Sequence, residues 1–212
     1  GTRLMELTQA HRDALHDVLQ WRRDVRHFCN DPIPDDVLAR LRAAMDLAPS
    51  VGNARPWRVL QVTTPALRAQ IIANFEAANE KAGAIYDDAH TRETYASLKL
   101  AGLRDAPVHL AVFTETQPDA GRGLGRQTMP EMLCYSSVAA IYTLWLAARA
   151  ENLGLGWVSI LDPVAVAQTL GVPDHWQLTG YLCLGKAAFN TDTPLLHEND
   201  WQQNTATFWQ EI

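Results

Sequence analysis

Arg22-Arg23-Asp24-Val25-Arg26 is the stretch on which the reading of this chain turns. Arg22 and Arg26 are four apart, so on a helical turn they share one side. In an extended segment Arg22, Asp24 and Arg26 share a face instead. Either way two guanidinium groups can converge, and such a planar fork suits a phosphate or the polar edge of a planar ring. The plainer alternative is a solvated helix end whose arginines complement the helix dipole. Asp24, standing between arginines, reads either as a structural ion pair or as a catalytic base.

Working outward, residues 8–20 are expected to be helical, with Thr8 as N-cap and Leu15, Val18 and Leu19 on one face. Residues 34–47 follow as a second helix: Pro34, Asp35 and Asp36 suit a first turn, Val37, Leu41, Met45 and Ala48 recur at helical spacing, and Pro49 stops it. Ala48-Pro49-Ser50-Val51-Gly52-Asn53-Ala54-Arg55-Pro56-Trp57 is a turn whose prolines and glycine fix the backbone path. Ser50 and Asn53 offer short polar groups there to a ligand edge, although turn chemistry alone also accounts for them.

Beyond the turn, Trp57 to Val62 reads as a strand, and Thr64-Pro65 opens a helix with Leu67, Ile71, Phe75 and Ala78 as its stripe. Residues 79–104 read as a helix with a mobile connection. Pro107 to Phe113 is a buried strand. The stretch from Thr114 to Thr128, rich in glycine, is long enough for a functional loop. Ser136 to Asn152 is apolar almost all round and is expected to be buried on several sides, with Gly154 as its stop. Gly156 to Leu161 and Leu178 to Leu184 are strands, and Asp162-Pro163 starts a short helix between them that Gly171 and Pro173 end. The tail from Lys186 is polar, with Trp201 and Trp209, and could wrap a partner subunit. Short strands with helices between and around them make a single α/β or α+β domain over residues 1–212, and the pattern alone does not separate the two.

Composition narrows the function. With 47% hydrophobic and 20% charged residues, the chain is an ordinary globular one, long enough to bury a core without disulfides. Cys29, Cys134 and Cys183 are far apart and odd in number, which fits a reducing compartment rather than a disulfide framework. A net charge of −6 argues against a nucleic-acid partner. No apolar run is long enough for a membrane span. Gly1-Thr2-Arg3-Leu4 lacks the apolar core of a signal peptide, so a cytoplasmic protein is expected. The histidines show no ligand spacing, which speaks against a metal. Gly121 to Gly125 lies several residues past its strand, so a dinucleotide loop is disfavoured. A lid whose glycines permit closure and an ordinary mobile loop remain the two readings.

The arginine run, a helix, and then Pro-Ser-x-x-Asn-x-x-Pro-Trp resemble the amino-terminal half of the nitroreductase-like flavoproteins. Further stretches resemble one branch of them, the 5,6-dimethylbenzimidazole synthases. These are Ala48-Pro49-Ser50-Val51-Gly52, Leu98-Lys99-Leu100, residues 123–132 with Thr128-Met129-Pro130-Glu131-Met132, residues 144–150, and Gly154-Leu155-Gly156-Trp157-Val158-Ser159-Ile160-Leu161. Together they span roughly residues 15–185. There are two departures. Leu133 follows Pro-Glu-Met where the branch usually has an acidic residue, and no arginine follows Trp201 to help hold a phosphate.

The resemblance implies an α+β nitroreductase-like fold, a mixed central sheet flanked by helices in an intertwined homodimer, with FMN at the subunit interface. It implies reduced FMN as substrate and dioxygen as co-substrate, with 5,6-dimethylbenzimidazole, the lower ligand of vitamin B12, and erythrose 4-phosphate as products. A separate flavin reductase would supply the reduced FMN. Asp24 would be the proton acceptor or donor near the ribityl chain, and Ser159 the hydroxyl near flavin N5. Arg22, Arg23 and Arg26 would contact phosphate and ring edge. Val25, Ser50, Gly52, Asn53, Leu98, Lys99 and Ile160 complete the expected FMN contacts. Two other functions remain open on the same fold: an NAD(P)H-dependent nitroreductase or flavin reductase, and a non-catalytic carrier of reduced flavin. The lid motif and Ser159 favour the synthase.

Overall fold

Four strands form one sheet in the order β1-β2-β4-β3: β1 (Trp57–Gln61), β2 (Val108–Glu115), β3 (Gly154–Val158) and β4 (Trp176–Gly185). The computed structural model describes residues 4–212; Gly1-Thr2-Arg3, part of the start read for a signal peptide, lie outside them. The three strand pairings are antiparallel. What makes the sheet mixed is Asp24, which bridges Leu155 in parallel along the free edge of β3. This is the α+β architecture with helices flanking a central sheet.

Strand alternation sorts side chains to two cores, because successive residues point to opposite faces. Val112, Leu155, Leu182 and Leu184 face one side, packing with Leu41, Met45, Ile141 and Leu144. Ala111, Phe113, Val158, Tyr181 and Cys183 face the other, with Ile71 and Val166. The helices of the first side are α2 (Asp35–Met45) and α5 (Met132–Ala150); those of the second are α3 (Pro65–Ala84) and α6 (Pro163–Leu170). Ile141 is fully buried and Leu144 nearly so, each contributing roughly 1.5–3 kcal/mol of hydrophobic stabilisation.

Local signals place most boundaries. Thr8 caps α1 (Gln9–Trp21), its amide donating to His11 Nδ1. Pro65 opens α3, and the Asp162 carboxylate accepts from the amides of Val164 and Ala165 at the start of α6. Gly171, at φ +68°, ends α6 in the left-handed conformation that glycine tolerates.

Three expectations are corrected. The region 79–104 is not one helix with a loose end: α3 runs on to Ala84, and a separate α4 (Ala89–Ser97), capped by Asp88, follows. Helix α5 begins at Met132, four residues before Ser136, and Asn152, at φ +60°, takes the left-handed position after it, leaving Gly154 to start β3. The third strand ends at Val158 rather than Leu161. The Leu161 amide turns back onto the Ser159 carbonyl, and Asn74 of α3 bonds both the amide and the carbonyl of Asp162, drawing the chain out of the sheet.

Helix α1 buries no residue in its own chain: Leu15 is 55% exposed and Leu19 42%. Tyr135, Val138 and Tyr142 of α5 are exposed as well. After α7 (Leu195–Glu198), the tail carries exposed Phe208 and Trp209. No described helix is long and apolar enough to cross a membrane.

Candidate active site

The arginine run leaves α1 at once and becomes extended. Arg22 closes the helix through its amide to the Val18 carbonyl, and the next residues lie along β3, with the Val25 amide donating to the Leu155 carbonyl at 3.0 Å. Of the two arrangements the spacing allows, the extended one is realised. Gly156 makes it so: a Cβ there would overlap the Val25 carbonyl oxygen. A glycine inside a strand marks such close backbone approach.

The three arginines have different partners. The Arg22 guanidinium lies 4.5 Å over the Trp145 ring, a cation–π contact. Arg23 donates to the Gln20 carbonyl at 3.0 Å near the end of α1. Burial, and then the Arg22 charge beside it, lowers the Arg23 pKa. Arg26 donates through Nε to Asp24 Oδ2 at 2.8 Å and through Nη1 to the Lys99 carbonyl at 3.3 Å. The other oxygen of Asp24, Oδ1, accepts from the Trp157 amide at 2.8 Å.

These residues line a pocket with Trp145, Phe189, Asn190 and Thr191. Among the described residues, Arg22 and Arg23 have no ion-pair partner. Their buried Nε atoms, and His27 Nδ1, have no hydrogen-bond partner. Buried donors left unmatched are costly unless a ligand or water completes them. Two guanidinium groups without an ion-pair partner among the described residues fit the phosphate of FMN.

Ser159 stands just past β3, two residues beyond the amide that holds Asp24, and it is exposed. Ile160, half-buried, follows it. Leu98 ends α4, and the exposed Lys99 pairs with Asp105 while its carbonyl accepts from Arg26. Asp24, Val25, Arg26 and Lys99 are thus one connected group.

Ser50, Gly52 and Asn53 form a second group. The Ser50 hydroxyl accepts from the Arg55 amide at 3.0 Å, a bond that shapes the turn. Asn53 is exposed, at φ +53°. This turn docks on the glycine loop of residues 120–125. A Cβ on Gly52 would stand 3.0 Å from the Leu124 carbonyl, and one on Gly121 would stand 2.9 Å from Ala54 Cβ. Gly52 and Asn53 open with Gly121–Gly125 onto a concavity that shares no lining residue with the arginine pocket.

Three residues escaped the reading from sequence. Gly156 and Trp157 place Asp24 through backbone; both lie in the Gly154–Leu161 stretch that carried the resemblance, but nothing in it showed this duty. Ser136 pins the second group to α5: its Oγ accepts from the Val51 amide at 3.0 Å and donates to the Met132 carbonyl at 2.7 Å. A serine in a helix gives no sign of such a contact from sequence.

The nitroreductase family model matches residues 19–186. A 5,6-dimethylbenzimidazole synthase of Rhodobacter capsulatus is 58% identical over 206 residues, 97% of this chain and 99% of that protein. A 5,6-dimethylbenzimidazole synthase of Rhodospirillum rubrum is 51% identical over 191 residues, 90% of each chain. Among solved structures, iodotyrosine deiodinase bound to FMN and 3-iodo-L-tyrosine superposes with a TM-score of 0.74 at 22% identity, covering 93% of this chain and 99% of that one. This last likeness is one of fold.

Proposed function

Since the chain belongs to the nitroreductase family and, within it, to the 5,6-dimethylbenzimidazole synthases, we infer that it fragments reduced FMN with dioxygen to 5,6-dimethylbenzimidazole and erythrose 4-phosphate. The observation that carries this reading is the end-to-end similarity to the synthases. When bound, reduced FMN supplies both the electrons for dioxygen and the dimethylated ring that becomes product.

The residues divide the work as follows. Arg22 and Arg23, half-buried with unpaired Nε atoms and no ion-pair partner among the described residues, hold the phosphate. Asp24, fixed by the Trp157 amide and Arg26, is the proton acceptor or donor at the ribityl chain. Ser159, past the end of the same strand, places a hydroxyl near flavin N5. Val25, which lines the arginine pocket, and Leu98, Lys99 and Ile160 would complete the FMN contacts.

The turn over 50–53 belongs to a separate concavity, so it would reach the arginine pocket of a second copy. An intertwined homodimer is supported by the bare apolar faces of α1 and α5 and by the exposed aromatic tail. On this reading the glycine loop, docked on that turn, would exclude water, which oxygen chemistry on reduced flavin requires. A separate reductase would supply reduced FMN, and three unbonded cysteines fit the reducing cytoplasm.

The test is to supply free reduced FMN and air to the pure protein and analyse products by mass spectrometry. Dimethylbenzimidazole is expected. Fast NAD(P)H oxidation with a nitroaromatic acceptor, and no dimethylbenzimidazole, would instead assign the chain to the nitroreductases proper.

A further inference from the structure

The Asp24 carboxylate is held at both oxygens by donors from different parts of the chain. Oδ1 accepts from the Trp157 amide at 2.8 Å, and Oδ2 accepts from Arg26 Nε at 2.8 Å. A carboxylate gripped at one oxygen can still turn about its last torsion; gripped at both, it cannot. The Arg26 side chain is only 13% exposed, against 29% for Asp24. The same guanidinium reaches the Lys99 carbonyl at 3.3 Å, across 73 residues of sequence.

The segment after α4 closes around Arg26 in return. Lys99 is tied to Asp105 at 3.0 Å. Gly102 comes so close that a Cβ there would stand 3.0 Å from the Arg26 carbonyl. A guanidinium is planar and presents several donors in fixed directions, so it can serve a carboxylate and a carbonyl together. An ammonium in its place is a compact point charge whose three donors rotate freely on a flexible stem.

We propose that Arg26 is a positioning residue for Asp24: it joins the carboxylate to the segment following α4, so that Asp24 keeps its working orientation only while that segment is docked. This duty comes in addition to the FMN contact expected of Arg26 from the sequence, and differs from the phosphate binding proposed for Arg22 and Arg23. The proposal rests on the synthase reading for what Asp24 does, but not for how Asp24 is held.

The experiment compares wild type, Arg26→Gln and Arg26→Lys in three measurements. These are the Kd for oxidised FMN by fluorescence quenching, the rate of dimethylbenzimidazole formation at saturating reduced FMN, and hydrogen exchange at the Trp157 amide by NMR. For Arg26→Gln the rate at saturating reduced FMN is expected to fall about 100-fold, beyond any change in Kd that the loss of its own FMN contact brings, since a small misplacement of a reacting group has that effect. The Trp157 amide should exchange faster, because its acceptor is no longer fixed. Arg26→Lys should recover part of the rate and part of the protection.

A saturating rate within about threefold of wild type would overturn the proposal. Unchanged exchange at Trp157 would overturn it as well, whatever the rate. If wild type itself makes no dimethylbenzimidazole, the synthase reading fails, and exchange at Trp157 still decides whether Arg26 holds Asp24. Arg26→Lys, the milder change, gives the same decision should Arg26→Gln not fold.

Discussion

The backbone amide of Trp157 donates to Asp24 Oδ1 at 2.8 Å. A side chain thereby completes the edge of β3, just past the bridge between Asp24 and Leu155. The candidate catalytic carboxylate is therefore also part of the sheet. Its two duties separate by substitution. Asn keeps an oxygen for the amide, so Asp24→Asn should fold, bind FMN and lose dimethylbenzimidazole formation. Its stability should fall by about 1–3 kcal/mol, because the amide nitrogen would then face Arg26 Nε, itself a donor, where a charged oxygen had accepted. Thermal melts, FMN titration and product analysis check the three parts, and wild-type yield would remove Asp24 from the mechanism.

Ser159 carries no such structural duty. It is exposed, and only its carbonyl takes part in the turn, accepting from Leu161 at 2.9 Å. Ser159→Gly is expected to bind FMN as wild type does and to lose product formation. Undiminished product from this variant would make the serine a bystander.

Gly156 tests how the arginine run is seated. Gly156→Ala would drive a methyl into the Val25 carbonyl, which is backbone and cannot swing aside. Overpacking of this kind costs about 1–3 kcal/mol. The variant should melt at lower temperature and bind FMN more weakly, because residues 22–26 shift away from β3. Unaltered melting and unaltered FMN affinity would show that the segment is not held by this contact.

How far this was legible in the sequence depends on whether a residue acts through its type or through its backbone. The stripes Leu41-Met45-Ala48 and Leu67-Ile71-Phe75 announced α2 and α3 because helical periodicity is local. The caps Thr8 and Asp162 and the stop at Gly171 were legible for the same reason. The end of β3 was not. Val158-Ser159-Ile160-Leu161 looks like continued strand, and what bends it is Asn74, far away in sequence, bonding Asp162. At the site, Asp24 and Ser159 were named through the family resemblance, while the arrangement of Arg22, Arg23 and Arg26 depended on Trp145, Gln20 and Lys99, which spacing cannot reveal. The apolar stripe of α1 was read correctly as a stripe, yet among the described residues none buries Leu15 or Leu19, and Val18 is only half-buried.

That bare stripe yields a prediction about assembly. A homodimer covering α1 and α5 should sediment at twice the 23.6 kDa of one chain. Leu19→Glu places a charge on the exposed apolar face and should shift the equilibrium toward monomer at micromolar concentration, with FMN binding weakened in parallel. A monomeric wild type in analytical ultracentrifugation would contradict the composite site.

The core holds a titrating pair. His109, fully buried, contacts Tyr181 Oη through Nδ1 at 2.8 Å, and burial, followed by the nearby Arg68 charge, lowers its pKa from 6.5 to about 4. With the folded pKa below the unfolded one, the unfolded chain binds more protons between these values. Stability from this group is full above about pH 6.5 and is lost as pH falls toward 4, by about 2–3 kcal/mol. Urea denaturation at pH about 7 and about 4.5 should show a smaller loss for His109→Gln than for wild type. Equal losses would place the acid sensitivity elsewhere.

The central claim, that this chain destroys reduced FMN by way of Asp24 and Ser159, is tested most directly by one quantity: dimethylbenzimidazole formed per FMN consumed in air, measured by mass spectrometry on wild type, Asp24→Asn and Ser159→Gly side by side. Near-stoichiometric product from wild type, and none from either variant despite retained FMN binding, is the predicted result. FMN merely reoxidised by wild type, with no dimethylbenzimidazole, would contradict it.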